Sequence, residues 1–190
     1  MIDQRIIDLV RQRHLADDFR YHILPVVRNA VELTSRLKAD QRVVETAAYL
    51  HDIGRAGPYS SAAKDDHHIK GAKESKRILM GLGGYDPGTI EEVYHCVLAH
   101  RARAKPDPLT IEAEIVNNAD AMSHFEAFPW LFGIFLQTEP NLESAMQGLK
   151  AKYERDWGRE LTLSCAREIV RPRFEAIMMV LNDNLKFIDQ

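Results

Sequence analysis

The chain has 190 residues, of which 45% are hydrophobic and 28% charged, values typical of a folded globular protein with room for one sizeable core. A net charge of −3 provides no strongly basic surface, so we expect neither a nucleic acid duplex nor a membrane as partner. No apolar stretch approaches the length that crosses a bilayer. The two cysteines and the absence of a secretory segment in residues 1–5 predict free thiols in a cytoplasmic protein.

Helical periodicity dominates the first 52 residues. Apolar side chains three and four positions apart predict helices over residues 2–17, 19–37 and 41–52. Asp17 and Asp18 are expected to end the first helix or cap the second, and Pro25 to lie in the first turn of the second. Asp40 is the expected N-cap of the third helix.

The rest of the chain is also predicted to be helical. Its apolar stripes predict helices over residues 64–82, 87–101, 110–125, 130–136, 142–157 and 164–187. Residues 54–63 and 102–108 have the composition of loops, and Pro172 is expected to kink or split the last helix. No segment has the period-two alternation of a half-buried strand, so the predicted fold class is all-α.

The third helix ends in an adjacent histidine and aspartate, His51 and Asp52, followed by Gly54. Side chains of neighbouring residues in a regular helix point roughly 100° apart. The last turn of a helix can loosen, however, and the imidazole and carboxylate can then converge on one cation. The alternative is a solvated pair at a helix end that Gly54 caps.

Further candidate ligands lie on or beside other predicted helices. They are His22, His67 or His68, His95 or His100, and Asp120. A site inside a helix bundle takes one or two inward groups from each helix, which fits this scatter. Asp120 has apolar neighbours on several sides of its helix, and a buried carboxylate is costly unless it is paired or binds a metal. Together these residues predict a metal site.

Helical geometry separates His95 from His100. At 100° per residue, His100 lies about 20° from Val93, on the flank of the apolar face, whereas His95 lies about 160° away. We therefore expect His100 to point inward and His95 toward solvent. The same reasoning leaves His67 and His68 undecided.

The order of these residues resembles that of the HD-domain metal-dependent phosphohydrolases. The resemblance is carried by His22, by His51-Asp52 in His-Asp-Ile-Gly-Arg, and by Asp120 in Val-Asn-Asn-Ala-Asp-Ala-Met. The segments around His67 (His-His-Ile-Lys-Gly-Ala) and His100 (Val-Tyr-His-Cys-Val-Leu-Ala-His) also look like the family. Members usually place a histidine four residues before the glycine, which favours His67 over His68.

The resemblance covers residues 20–125 or so and implies a single HD-domain helical bundle. Residues 1–190 are then one domain, with two additional C-terminal helices over about 140–188. His14 and His124 match no part of the pattern and are expected to be surface or partly buried histidines.

The residue types suit a divalent cation such as Mn, Fe, Co, Ni, Zn or Mg. His22, His51, Asp52 and Asp120 would hold one ion and leave positions for water and substrate. The resemblance implies one of two roles for His67 and His100: they complete a second metal position with Asp52 as the bridge, or they face the phosphate or leaving group.

The implied reaction is hydrolysis of a phosphate ester by water that the metal activates. Asp52 or Asp120 is expected to orient that water, and His67 or His100 to protonate the leaving oxygen. Arg55, Arg101 and Arg103 are the expected phosphate contacts.

The expected substrate is a small phosphorylated metabolite or nucleotide. The cyclic-dinucleotide branch of the family carries paired histidines and a Gly-Tyr-Pro element, which the Arg-Ala-Arg-Ala-Lys-Pro-Asp-Pro segment after His100 lacks, and no nucleic-acid-binding module is apparent. A di-iron oxygenase on the same scaffold and a non-catalytic, metal-stabilised regulatory module are the alternatives. A homodimer is compatible with the sequence.

Overall fold

A computed structural model of the protein describes residues 2–55, 66–101 and 106–188. Regular structure in these residues is entirely helical, which confirms the all-α prediction. The helices are α1 (Gln4–Arg13), α2 (Ala16–Asp18), α3 (Leu24–Leu37), α4 (Gln41–Leu50), α5 (His67–Leu82), α6 (Pro87–Ala99), α7 (Ile111–Glu126), α8 (Phe128–Thr138), α9 (Leu142–Arg155) and α10 (Ser164–Ile188).

Short polar side chains determine where several helices begin. Asp40 accepts hydrogen bonds from the backbone N–H groups of Arg42 and Val43, as predicted for the N-cap of α4. Thr110 accepts a hydrogen bond from Ala113 N and starts α7 as expected. At the C-terminal end of α5, Gly83 adopts φ of +69°, a left-handed conformation that glycine tolerates without strain.

The core lies between the apolar faces of α3, α4, α6 and α7. Leu33, Leu50, Val97 and Ile115 are all fully buried there. The two C-terminal helices extend this core, since α9 packs on α8 and α10 packs on both α7 and α9. Helix α7 is therefore covered by the N-terminal bundle on one side and by α10 on another.

A π-helical turn, Phe19–Ile23, joins α2 to α3 and contains His22. Because Pro25 has no backbone N–H, it interrupts the ordinary helical hydrogen-bond ladder, and the wider turn directly before it accommodates the interruption. Two expectations were wrong here. The first helix ends at Arg13 rather than residue 17, and Asp17 and Asp18 lie inside a helical segment that starts at Ala16 rather than capping one.

Other boundaries differ by a few residues. Helix α10 continues through Pro172, so the predicted split does not occur. A second π-helical turn, Asp156–Glu160, extends α9 beyond the predicted end. The predicted loop residues 56–63, the predicted start of α5 at residue 64, and most of the 102–108 loop lie outside the described residues. Among the residues described, no helix combines the length and apolar character needed to cross a membrane.

Candidate metal centre

The His51–Asp52 pair lies in a tight turn directly after α4. Ile53 N donates to Leu50 O over 3.0 Å and Arg55 N donates to Asp52 O over 2.9 Å, so the chain tightens where the regular helix stops. This turn allows two successive side chains to face the interior. His51 is fully buried and Asp52 is 2% exposed, which excludes a solvated pair at a helix end.

Two glycines bring α5 against this turn. A Cβ atom on Gly54 would collide with the backbone oxygen of His67 and with Gly71 N, and would lie 2.8 Å from Gly71 Cα. A Cβ on Gly71 would in turn lie 3.2 Å from Gly54 N. Gly54 therefore serves close backbone packing, which places the N-terminus of α5, and with it His67, beside Asp52.

One cluster of potential ligand atoms comes from His22, His51 and Asp120, whose ligand atoms all lie within 4.8 Å of one another. The Nε2 atoms of the two histidines are 3.1 Å apart. Asp120 Oδ1 lies 3.5 Å from His22 Nε2 and 3.9 Å from His51 Nε2. The π-helical turn, the end of α4 and the middle of α7 thus converge on one point.

A second cluster consists of Asp52, His67 and His100. The Nε2 atoms of His67 and His100 are 3.2 Å apart, and they lie 3.2 and 3.7 Å from Asp52 Oδ1. The other carboxylate oxygen, Asp52 Oδ2, lies 3.2 Å from His22 Nε2. Each oxygen of Asp52 therefore faces a different cluster, which is the arrangement of a carboxylate that can bridge two ions.

Hydrogen bonds outside the clusters determine the tautomers of three of these histidines. His51 Nδ1 donates to Ala48 O over 2.7 Å, and His100 Nδ1 donates to Val97 O over 2.6 Å. Ser123 uses its hydroxyl hydrogen on Asp120 O, so it accepts from His22 Nδ1 at 3.2 Å. With the proton on Nδ1, Nε2 of each neutral ring carries a lone pair directed into the site.

These lone pairs make the site suitable for a cation. Two deprotonated imidazole nitrogens about 3.1 Å apart repel each other unless a proton or a metal ion lies between them. Asp52 Oδ1 is buried and forms no hydrogen bond with the described residues, despite its two imidazole neighbours. Buried imidazole nitrogens and carboxylate oxygens directed at common points are the donor set of a borderline divalent metal.

Burial and neighbouring charges shift the pKa values of these groups. Burial lowers the pKa of His51 to about 3, which keeps the ring neutral and able to bind metal. Burial raises the pKa of Asp52, but its neighbours, the Arg55 guanidinium first, outweigh burial and hold the pKa well below its usual range. In the same way the surrounding histidines, His124 first, overcome burial and lower the pKa of Asp120 to about 2. Both carboxylates are therefore ionised at neutral pH.

One of the predicted substrate-binding arginines, Arg55, lies at the site. Arg55 Nε donates to Asp52 Oδ2 over 2.6 Å, and its Nη2 lies 3.4 Å from His67 Nε2, so its guanidinium is at the site. Arg101 directly follows His100 and is partly buried. Arg103 lies outside the described residues. The proposed contact of each with substrate stays a prediction.

In each of the two pairs of alternative histidines, the two members occupy different places. His100 is 2% exposed and belongs to the second cluster, whereas His95 is half-buried and its Nε2 accepts a hydrogen bond from Leu109 N. His67 is in the second cluster, while His68 is buried beside it, with ring centroids 5.9 Å apart, but contributes no atom to either cluster.

A buried charged group that the motifs and the family resemblance did not indicate lies behind the site. His124, expected to be surface or partly buried, is 3% exposed, and its Nε2 lies 3.8 Å from Asp120 Oδ1. On its other side, Lys152 of α9 and Asp156, the first residue of the π-helical turn that follows, both approach His124 Nδ1, at 3.2 and 3.0 Å. A signal was present, because Lys152 and Asp156 share the helical stripe of Leu149 and Tyr153.

Glu160 lies at the edge of this group and should make stability depend on pH. Burial, and then the charge of Asp156, raise its pKa to about 7. The folded protein therefore binds a proton that the unfolded chain releases near pH 4.5, and stability falls as the pH rises from about 4.5 to 7.

Replacing Glu160 with glutamine should remove this loss. We expect Glu160→Gln to melt above wild type by a few degrees at pH 8, since 1 kcal/mol corresponds to about 2–4 °C at this chain length, and the difference should shrink toward pH 5. Thermal melts across this pH range measure it, with the exposed Glu154→Gln as control. A difference that is constant with pH would show that the Glu160 carboxyl is not the cause.

Comparison with known proteins gives a family match over this same part of the chain. The family model described as HD domain matches residues 19–124, which include both clusters. The match ends before the C-terminal helices that contribute Lys152 and Asp156.

Curated relatives by sequence share the name ribonuclease Y. The protein of that name from Acidothermus cellulolyticus is 29% identical over 154 residues, which are 78% of this chain and 29% of the relative. The one from Borreliella burgdorferi is 34% identical over 91 residues, 48% of this chain and 16% of the relative. The chain thus spans less than a third of the length of either protein.

Two crystal structures have a similar fold over nearly the whole chain. One, described as a predicted HD superfamily hydrolase from an uncultured Thermotogales bacterium, superposes with a TM-score of 0.65 at 23% identity, covering 96% of this chain and 91% of the other. The second, an HD-superfamily hydrolase from Bacillus thuringiensis, gives 0.67 at 15% identity, covering 98% and 95%. At these identities the likeness concerns the fold.

Proposed function

Because the chain belongs to the HD domain family, we propose that the protein is a metal-dependent phosphohydrolase acting on a small phosphorylated metabolite or nucleotide. The observation that supports this most strongly is the placement of Asp52, whose two oxygens face two separate sets of imidazole nitrogens. Such a bridging carboxylate suits a centre for one or two divalent ions, and phosphoryl transfer depends mainly on charge neutralisation at such a centre.

The residues present fit such a metal. His22, His51 and Asp120 would hold one ion together with Asp52, and His67 and His100 would complete a second position. When bound, a divalent ion lowers the pKa of a coordinated water and polarises a phosphoryl oxygen. In one-ion form, His67 and His100 would instead face the phosphate, where either ring, once protonated on Nε2, can give that proton to the leaving oxygen.

Carboxylate and arginine side chains would supply the remaining functions. Asp120 is 18% exposed at its side chain and ionised, so it can orient a water molecule at the open side of the site. The Arg55 guanidinium, 15% exposed, already lies within the polar centre and can turn from Asp52 toward an entering phosphate. Arg101 is proposed as a second phosphate contact, since it follows His100 directly.

Cleavage of RNA phosphodiester bonds is a second candidate, favoured by the name of the curated relatives. The chemistry at the metal would be the same, and only the groups that bind the substrate would differ. A net charge of −3 offers no general attraction for a polyanion, so we place this candidate second.

The test combines metal analysis with a substrate panel. Protein stripped with a chelator and reloaded separately with Mn²⁺, Fe²⁺, Co²⁺, Ni²⁺, Zn²⁺ or Mg²⁺ should hydrolyse p-nitrophenyl phosphate, bis-p-nitrophenyl phosphate or nucleotides, with no turnover by the stripped form. Faster cleavage of an oligoribonucleotide would favour the second candidate. Metal binding without hydrolysis of any phosphate ester would contradict the proposal. If the metal-loaded protein then consumes oxygen, the result would favour a di-iron oxygenase. If it does not, the result would favour a regulatory module.

Replacing Arg55 tests its proposed contact with substrate. Arg55→Ala should raise KM by about 10–100-fold, because a lost charged hydrogen bond costs about 1.5–3 kcal/mol, while kcat changes less. Steady-state kinetics on the best substrate of the panel measure both constants. Arg36→Ala, on the exposed face of α3, is the matched control. An unchanged KM would show that Arg55 contacts its protein neighbours at the site and not the substrate.

A further inference from the structure

The buried group behind the metal centre consists of His124, Lys152 and Asp156, and it contains a hydrogen bond whose donor can be assigned. Lys152 Nζ lies within 3.2 Å of His124 Nδ1 in hydrogen-bond geometry. Asp156 Oδ2 is 3.0 Å from both nitrogens but forms no hydrogen bond with the described residues, so it acts as their counter-charge. Since an ammonium can only donate, His124 Nδ1 is the acceptor.

This assignment places the proton of His124 on the side of the metal centre. A neutral imidazole that accepts at Nδ1 carries its hydrogen on Nε2. That atom is buried, forms no hydrogen bond among the described residues, and lies 3.8 Å from Asp120 Oδ1. An N–H beside the Asp120 carboxylate is attractive, whereas a lone pair in the same place would repel it. On the other side of the ring, the Lys152 ammonium, 3.2 Å from Nδ1 and 3.0 Å from Asp156 Oδ2, offsets the repulsion between that carboxylate and the Nδ1 lone pair.

The cost of burying these groups argues against an incidental arrangement. Lys152 is 8% exposed and Asp156 fully buried, and such pairs contribute little net stability compared with apolar residues of the same size. Helix α9 also contacts the backbone at this point, since Tyr153 Oη donates to His124 O over 3.0 Å. The C-terminal helices therefore contact His124 through its side chain and through its carbonyl, one helical turn after Asp120.

We infer that His124, supported by Lys152 and Asp156, is a positioning residue that orients the Asp120 carboxylate for metal binding, at the same oxygen that His22 and His51 approach. The C-terminal helices, which lie outside the family match, would then complete the metal centre. This inference rests on the metal site of the proposed function, but not on its substrate. Residues that orient a metal ligand through a hydrogen bond commonly contribute about 10–100-fold to metal affinity.

The test measures metal affinity rather than turnover. Chelator-stripped variants are titrated with Mn²⁺ and Zn²⁺ in competition with a chromophoric chelator, after circular dichroism and a thermal melt show that each is folded. His124→Leu removes the N–H and should weaken the tighter metal site by about 10–100-fold. His124→Gln keeps a side-chain N–H in a similar place and should recover most of the affinity. Lys152→Met should weaken the site as His124→Leu does.

Two controls separate positioning from general packing. Tyr153→Phe loses the bond to His124 O and should lower the melting temperature while metal affinity stays at the wild-type level. Lys150→Met removes a partly exposed lysine two residues from Lys152 and should change neither quantity. Wild-type affinity in folded His124→Leu, or equal loss in His124→Leu and His124→Gln, would overturn the inference. Absence of metal binding in wild type would instead overturn the proposed function.

Discussion

Asp52→Ala should lose metal and phosphohydrolase activity together. The two carboxylate oxygens of Asp52 lie one near each cluster, because Oδ2 is 3.2 Å from His22 Nε2 and Oδ1 is 3.2 Å from His67 Nε2. Removing it deletes the negative charge between four imidazole rings. We expect metal affinity to fall by more than about 100-fold, the upper end of the loss caused by removing a ligand's hydrogen-bond partner, and turnover to become undetectable.

The measurement is metal content after dialysis, with activity on the same sample. Asp52→Asn keeps the size of the side chain and should lose metal equally, which separates loss of charge from loss of packing. Asp183→Ala, at an exposed position on α10, is the control and should retain both properties. Full turnover with metal retained in Asp52→Ala would exclude Asp52 from the centre.

The second large effect is expected for Gly54→Ala, although Gly54 offers no ligand. The added Cβ would collide with backbone atoms of His67 and Gly71, and a backbone neighbour cannot move aside as a flexible side chain can. Helix α5 must then shift away from the turn after α4. We expect a clear fall in melting temperature and preferential loss of the metal position that His67 and His100 form.

Gly81→Ala, near the C-terminal end of α5, provides the matched control. No atom of the described residues lies within 4 Å of a Cβ built on Gly81, and alanine favours a helix over glycine by about 1 kcal/mol, so this variant should be as stable as wild type or more so. Thermal melts and metal stoichiometry on both variants make the comparison. If Gly54→Ala behaves like Gly81→Ala, the close approach of Gly54 to Gly71 does not hold the site together.

Local patterns were sufficient to predict most helices. A cap such as Asp40 or Thr110 before an apolar stripe depends on only a few neighbouring residues, and those ends were found correctly. The π-helical turn around His22 was not found, because it depends on how the helix accommodates Pro25 three residues later. A periodicity analysis assumes a fixed angle per residue, so it does not detect a turn in which that angle differs.

The candidate site was partly predictable for a similar reason. His51 and Asp52 stand together, and the apolar face of α6 indicated His100, so local reasoning and the family resemblance sufficed to single them out. Lys152 and Asp156 meet His124 only because α9 packs beside the end of α7, a tertiary contact. The charged residues on this apolar stripe were the available indication of the contact, because the same pattern otherwise predicts only an ordinary amphipathic helix.

A crystal structure of the protein loaded with Mn²⁺, with anomalous diffraction recorded at the manganese edge, tests the central claim most directly. We expect a strong peak within ligand distance of His22, His51, Asp52 and Asp120, and, if a second ion binds, another beside His67 and His100. Manganese bound tightly in solution but located away from Asp52, with these side chains turned apart, would contradict the metal centre and the phosphohydrolase function proposed for it.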